Sequence, residues 1–171
     1  MGSKRVGLGR AKTLIENLKR ALDWNGAAMS DVASFESTGT ITAGTTLTAT
    51  SGDITLTSGA LKLDDGGAVA QGDGSGKATG VTLNKIVGKI TMDDAELTAG
   101  SAVTFTVTCS HARATDVVVI NHHSGGTVGS YHASATGHAA GSFKVTVINI
   151  STGALSEQPI LHYALIKTAH T

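Results

Sequence analysis

Seven histidines carry the most obvious chemical potential in this chain, because imidazole ligates metals and exchanges protons near neutral pH. A metal site needs several ligands that converge on one point. His122 and His123 are adjacent and would point to opposite faces of a strand, while His132 and His138 flank a predicted turn. The spacing therefore predicts histidines scattered over the surface and loops. One alternative stays open: a single histidine per chain could meet its copies on the axis of a symmetric trimer.

Acidic and glycine-rich segments offer a second kind of chemistry, the binding of cations and phosphates. The stretch 64–73 could bind calcium, but it lacks both the EF-hand spacing and a GGxGxD repeat. The residues GDGSGK at 72–77 are similar to a phosphate loop, but Gln71 stands where the first glycine is required and Ala78 follows the lysine. We therefore expect solvated turns here, with no metal and no cofactor.

Catalytic residues would require a nucleophile, a base and an acid in a recognisable arrangement. Serine, histidine and aspartate all occur, but no GxSxG nucleophile elbow accompanies them. The acid pairs at 64–65 and 93–94 fall at predicted turns, where aspartate is simply a good turn former. The sequence therefore predicts no catalytic residue and no enzyme. A buried, convergent set of histidine and aspartate would favour the alternative of a hydrolase.

Cys109 is the only cysteine, and it lies in a run of alternating apolar and threonine residues. This position predicts a small buried hydrophobe, and a lone cysteine cannot form a disulfide within the chain. The N-terminus lacks the apolar stretch of a signal peptide, and no segment approaches the length of a membrane span. We therefore expect synthesis in a cytoplasm and no membrane partner.

The elements that would position these residues begin with a basic, amphipathic N-terminus. The first twenty residues hold six basic side chains against Glu16 alone, so they carry +5 while the formal charge of the whole chain is zero. Between Arg10 and Trp24 the apolar residues follow one helical stripe, and Asn25 and Gly26 form a stop signal. The stripe comprises Ala11, Leu14, Ile15, Leu18 and Leu22.

A helix of about four turns is marginal alone, so its apolar stripe needs a partner. Residues 1–26 are therefore predicted to be a basic arm and anchoring helix that dock onto an acidic surface; a solvated helix face is the alternative. Nucleic acid is not expected as the partner, because no aromatic platform accompanies the basic cluster.

A Thr/Gly-rich repeat lies between Thr38 and Leu63, where single aliphatic residues alternate with Thr, Ser and Gly. This pattern predicts very short β-strands, each with too little apolar surface to fold alone. We expect them to pair with the same strands of other copies, and we assign residues 27–80 to a β-repeat stalk and linker. The predicted contacts between subunits are Ile41, Leu47, Ile54, Leu56, Leu61 and Leu63.

The remaining residues, 81–171, predict an antiparallel β-sandwich head. Short alternating runs are separated by glycine-containing turns and show no helical period, which is typical of a sandwich. The predicted strands are Ile86–Met92, Ala102–Ser110, Asp116–Asn121, Ser130–Thr136, Ser142–Ile150 and Ile160–Lys167. The fold class expected for the whole chain is mainly β, with the N-terminal helix as its only helix.

Three segments resemble phage virion proteins. The opening MGSKRVGLGRAKTLIENLKR resembles the N-terminus of small virion proteins of marine tailed phages, including those of cyanobacteria. The repeat GTITAGTTLTATSGDITLTSGALKL resembles phage fibre shafts. The stretches LTAGSAVTFTVTCSHARATDVVVINHHSGG and SFKVTVINISTGALSEQPILHYALIK resemble a β-sandwich module that recurs in phage structural proteins. Together they cover nearly the whole chain.

The resemblance implies a non-enzymatic virion component, and a chain of 171 residues fits a capsid decoration, cement or head-fibre protein better than a tail fibre. It would form a homotrimer on the capsid surface, be assembled in the bacterial cytoplasm, and dock on the major capsid protein. The docking residues would be Lys4, Arg5, Arg10, Lys12, Leu14, Ile15, Leu18, Lys19, Arg20, Leu22 and Trp24.

The alternative within the same resemblance is a short tail-fibre or receptor-binding protein. Its sandwich would contact a glycan or protein of the host cell surface. The candidate contact residues are His122, His123, Tyr131 and His132.

Overall fold

The structure is a computed structural model that describes residues 38–44, 48, 54–58, 60–63 and 66–168. Contacts divide the chain into two units, Met1–Thr55 and Leu56–Thr171. The helix predicted between Arg10 and Trp24 lies outside the described residues, and so does Leu47. The description below concerns the second unit, which contains every strand of the described residues.

The second unit is mainly β, with no helix among its described residues. Its strands are β1 (Gly66–Ala70), β2 (Val81–Thr82), β3 (Val87–Thr91), β4 (Ala102–Thr108), β5 (Val117–Ser124), β6 (Tyr131–Ala139), β7 (Ser142–Asn149) and β8 (Ile160–Ile166). All six strands predicted from the sequence are confirmed, as β3 to β8.

The strands form two four-stranded sheets with the orders β1-β3-β8-β5 and β2-β4-β7-β6. We call them sheet A and sheet B. The expectation of an antiparallel sandwich is corrected, because each sheet is mixed: β1 runs parallel to β3, and β2 runs parallel to β4. The remaining pairings are antiparallel. The two short parallel strands lie at the edges of their sheets.

One hydrophobic core draws side chains from both sheets, which gives the unit a sandwich-like arrangement. Ile90 and Leu161 of sheet A and Val145 of sheet B are completely buried within it. Phe143 of sheet B meets Tyr163 of sheet A edge to face, with ring centroids 5.2 Å apart. In β7, Phe143, Val145 and Val147 are buried and the residues between them are more exposed, because successive residues of a strand face opposite sides.

Cys109 is fully buried and free, as its alternating sequence predicted. Its thiol donates a weak hydrogen bond to the Lys85 carbonyl oxygen at 3.4 Å. Pro159 directly precedes β8, where its missing N–H costs no ladder hydrogen bond. Its carbonyl accepts a hydrogen bond from the Met92 N–H at 2.9 Å.

Strand β1 lies inside the segment assigned from sequence to a stalk and linker. The turn that follows it is fixed by a buried amide: Gln71 Nε2 donates to the carbonyl oxygens of Lys77 and Thr79, and Gln71 Oε1 accepts from the Asp93 N–H. A buried amide with all these partners satisfied fixes one conformation of the turn. Residues 66–80 are therefore part of the folded head.

Candidate functional site

The structure brings together the four residues that the sequence proposed for host contact. His122, His123, Tyr131 and His132 all line one pocket of about 550 Å³. They converge because β5 ends and β6 begins on either side of a glycine-rich loop, residues 125–130. We call this site the corner pocket.

The lining of the corner pocket combines apolar side chains with histidine, tyrosine, serine and asparagine. Its described lining contains no Asp, Glu, Lys or Arg side chain. Ile120 and Ala133 supply apolar surface, and each also packs against the core. A concave, largely apolar pocket with a few polar groups suits noncovalent binding of a small neutral group or a protruding side chain.

His122 is fixed on the inner side of β5. Its Nε2 lies 2.6 Å from the Gly125 carbonyl oxygen, and because a carbonyl only accepts, Nε2 carries the proton. The His122 ring meets Tyr131 edge-on, with centroids 5.4 Å apart. These two contacts hold the imidazole in one orientation at the wall of the pocket.

His123 lies on the outer face of sheet A, where it stacks on His162 of β8 at a centroid distance of 3.8 Å. Burial lowers the pKa of His162, and the neighbouring His123 and Lys89 lower it further. The buried His162 Nε2 has no hydrogen-bond partner in the described part of the chain. Both effects favour the neutral form of the His162 imidazole. Sequence reasoning missed His162 as a neighbour of His123.

Glu157 clamps the loop of the corner pocket from outside. Its carboxylate accepts hydrogen bonds from Thr127 Oγ1 at 2.7 Å, the Thr127 N–H at 2.8 Å and the Tyr131 hydroxyl at 3.0 Å. The hydrogen bonds from Thr127, followed by that from Tyr131, hold the pKa of Glu157 below its usual value. Burial and this carboxylate raise the pKa of Tyr131 to about 12.

Two loop glycines are required by the clamp. Gly125 and Gly126 have φ angles of 66° and 75°, a region that L side chains rarely adopt. A Cβ at Gly125 would also lie 2.3 Å from the Gln158 carbonyl oxygen, and one at Gly126 would lie 2.7 Å from Glu157 Oε2. Gly125 and Gly126 form one of the glycine-containing turns expected between the strands. They allow the loop to pack against residues 157–158.

Asp73, from the segment rejected as a calcium site, lies beside the acid pair Asp93 and Asp94, which the sequence placed at a turn. Carboxylate oxygens of Asp73, Asp93 and Asp94 lie within 4.8 Å of one another. Asp93 is buried instead of solvated, and its oxygens accept hydrogen bonds from the N–H groups of Ser75 and Ala95. These bonds, led by that from Ala95, lower the pKa of Asp93. The geometry thus gives Asp93 the role of a turn former, as its sequence position predicted.

Lys77 fills the space beside this cluster. It is 4% exposed, and its ammonium donates to the carbonyl oxygens of Asp93 and of Glu157, the latter at 2.7 Å. Burial lowers the pKa of Lys77, while the nearby acids Asp93, Asp94 and Glu157 partly offset that shift. The lysine of the GDGSGK segment thus ties three loops together.

The predicted stalk contacts that the structure describes are all exposed in the single chain. Ile41, Ile54, Leu56, Leu61 and Leu63 are 63%, 66%, 57%, 75% and 43% exposed. The eleven residues predicted to dock on the capsid lie outside the described ranges. Among the described residues, no helix has the length and apolar character needed to cross a membrane.

Comparison with protein-family models, with curated proteins and with solved structures finds no match for this chain.

Proposed function

We propose that this chain is a phage virion structural protein that decorates the capsid as a homotrimer. Residues 1–26 dock on the major capsid protein, residues 38–63 join the copies, and the β-sandwich-like unit is displayed outward. The observation that carries the proposal is a division within the chain. The chain contains a head with a buried core and, in addition, a segment whose described aliphatic side chains are exposed in a single copy.

Exposed aliphatic side chains favour assembly because burial of a leucine or isoleucine contributes about 1.5–3 kcal/mol. The five described aliphatics of the repeat are each at least 43% exposed. In a trimer these side chains face their copies and leave water. The apolar area buried by several copies offsets the entropy lost on association. A single short strand buries too little apolar area to be stable alone.

Capsid docking follows from charge and from repetition. The helix predicted between Arg10 and Trp24 would contribute both an apolar stripe and positive charge to an acidic groove of the capsid protein. A protein that binds only the assembled shell stabilises that shell by mass action. Three linked copies bind more tightly than one because the second and third contacts are intramolecular.

The test is cosedimentation of the full chain with assembled capsid shells, compared with a chain that lacks residues 1–24. We expect the full chain to pellet with the shells and the shortened chain to stay in solution. Far-ultraviolet circular dichroism of the shortened chain should retain the β signal of the head. Pelleting of the shortened chain to the same extent would overturn the docking proposal.

The second candidate is binding of the host cell surface, and the corner pocket favours it. Four residues named from the sequence as host contacts line this pocket, which has the size of a ligand site and no Asp, Glu, Lys or Arg in its described lining. The head then grips a neutral surface group of the host, while the N-terminus anchors it to the particle.

Adsorption of the labelled protein to host cells tests this second function. His132→Ala, in the pocket, should weaken adsorption at least several-fold, whereas His111→Ala should leave it unchanged because His111 is exposed outside the pocket. Equal adsorption by both variants would exclude the corner pocket as the receptor site.

A further inference from the structure

Strand β5 is an edge strand without the usual protection. It is eight residues long, and β8 is its only hydrogen-bonded strand partner among the described residues. Its sequence, VVVINHHS, contains no proline and no charged residue. Natural proteins normally blunt a free edge with a charge, a proline, a bulge or a very short strand, because the unpaired backbone groups recruit another chain.

The other three edge strands are shorter than β5 or less regular. Strand β2 has only two residues, and β1 has five, of which two are glycines. Strand β6 is interrupted by an irregularity between Thr136 and Ala139, with Gly137 at φ 57°. The irregularity in β5 comes at its end, between His122 and Ser124, so the strand is regular from Val117 to His122. Strand β5 is therefore the edge best suited to receive another strand.

An exposed aliphatic cluster lies beside that edge. Val117 and Val119 face outward and are 48% and 53% exposed, while Val118 and Ile120 pack against the core. Val117 pairs with Ile166 of β8, which is 53% exposed. A strand added beside β5 would cover this cluster with its own outward-facing side chains.

The chain itself contains a segment with the matching pattern. Leu61 and Leu63 alternate as outward residues of a strand do, are 75% and 43% exposed, and belong to no strand of the structure. Leu61 lies five residues before β1 and reaches at most about 17 Å from it at about 3.3 Å per residue. A fifth strand beside β5 would lie about 19 Å from β1, since strands are spaced by about 4.8 Å. Leu61 therefore falls short of the β5 edge of its own sheet. The β5 edge of another copy is the one that Leu61 and Leu63 can cover.

We propose that the segment centred on Leu61 and Leu63 of one copy adds to the β5 edge of sheet A in a neighbouring copy. The contact is head-to-tail: the residues before β1, at one edge of sheet A, meet β5 at the opposite edge of the next sheet A. Such contacts close into a ring when the rotation allows it. The inference rests on the proposed function in requiring an assembly of copies, and it names the surface that β5 contributes.

Directed cross-linking between two variants of the full chain tests the contact. One variant carries Val119→Cys, and the other carries either Leu61→Cys or Leu63→Cys. Native Cys109 is fully buried and stays in both. After mixing and mild oxidation, we expect a disulfide dimer that contains one chain of each kind. Val128→Cys is the matched control in place of Val119→Cys, because Val128 is 95% exposed on the loop of the corner pocket and belongs to no strand.

The outcomes separate this inference from the proposed function. Mixed dimers with Val119→Cys and none with Val128→Cys support the strand addition. Dimers only between two Leu61→Cys chains overturn it, while trimers joined through the repeat alone survive. A monomeric native chain by sedimentation overturns both. Equal mixed dimers with both valine variants also overturn the inference, because they indicate random collision.

A charge placed on the edge gives an independent measurement that requires no oxidation. Val119→Lys should raise the dissociation constant between copies at least tenfold, because lysine on a strand edge opposes added strands. Val128→Lys makes the same substitution on an exposed loop and should leave association unchanged. Equal association of the two variants, at equal thermal stability, would contradict the inference.

Discussion

At the residue scale, single polar side chains link segments that are distant in sequence. Glu157 fixes the corner pocket through Thr127 and Tyr131, and Lys77 joins the Glu157 carbonyl to the Asp93 turn. The pocket therefore depends on a carboxylate that does not line it. Lys77 and Glu157 are 80 residues apart in the sequence. Local sequence patterns therefore predict neither the contacts of Glu157 nor those of Lys77.

Glu157→Gln should lower the pKa of Tyr131 from about 12 toward 10.0, because the charge that opposes the phenolate is removed. Burial keeps the pKa above the ordinary value. An ultraviolet titration measures this shift, and Tyr131→Phe assigns it because the chain has only two tyrosines. Glu96→Gln, at an exposed position, is the control. An unchanged Tyr131 titration in Glu157→Gln would contradict the clamp.

The stack of His123 on His162 predicts a loss of stability in acid. The folded pKa of His162 lies below the ordinary 6.5, so the unfolded chain binds a proton first as the pH falls. The free energy of unfolding should decrease from pH 6.5 down to the folded pKa and be insensitive to this group below it. Urea unfolding of the native chain and of His162→Gln at several pH values measures the effect. The same pH dependence in both proteins would show that the stack contributes nothing.

At the element scale, the sheets depend on close approach of side chains to backbone. Gly88 of β3 leaves room for Tyr163, whose Cε1 would lie 2.5 Å from an added Cβ. The Tyr163 hydroxyl in turn donates to the Lys85 carbonyl oxygen at 3.0 Å, which fixes the chain between β2 and β3. Burial raises the pKa of this tyrosine, so it stays a neutral donor at ordinary pH.

Gly88→Ala should therefore destabilise the head by about 1–3 kcal/mol, the usual cost of overpacking. The control is Gly153→Ala, because a Cβ at Gly153 has no neighbour within 4 Å and the φ angle of Gly153 lies outside the strained positive range. Chemical denaturation of both variants measures the difference. Equal unfolding free energies would mean that Tyr163 and Leu83 can move aside without loss.

Alternation in the sequence predicts the long strands but not the edges of the sheets. Strands β3 to β8 contain enough apolar residues for the sequence to predict them. In β7, for example, Phe143, Val145 and Val147 alternate with other residues and are buried. Strand β1, with the sequence GGAVA, has no such pattern and is held by parallel pairing with β3. For the site, the sequence named four pocket residues, while His162 and Glu157 join them only through the tertiary fold.

At the scale of the whole molecule, the chain contains both a folded head and exposed aliphatic residues. The head buries its core within one copy, whereas the aliphatic side chains of the repeat that the structure describes are exposed. We therefore expect assembly to cover the described aliphatic side chains of the repeat.

A chain of residues 27–171, without the anchoring helix, should therefore still assemble into trimers at micromolar concentration. Sedimentation equilibrium should give about three times the mass of one shortened chain. Replacing Leu56, Leu61 and Leu63 together by threonine should shift the mass toward one chain, since each replacement removes apolar surface from the contact. A monomer for the unsubstituted 27–171 chain would count against assembly through the repeat.

The proposed function requires this protein to lie on the capsid of a phage particle. Cryo-electron microscopy of purified phage particles, compared with particles that lack this protein, would show which density it contributes. We expect β-sandwich-sized heads in groups of three on the outer capsid surface. The N-terminal residues of each chain should contact the major capsid protein. Difference density confined to the tail, or no difference density on either structure, would contradict it.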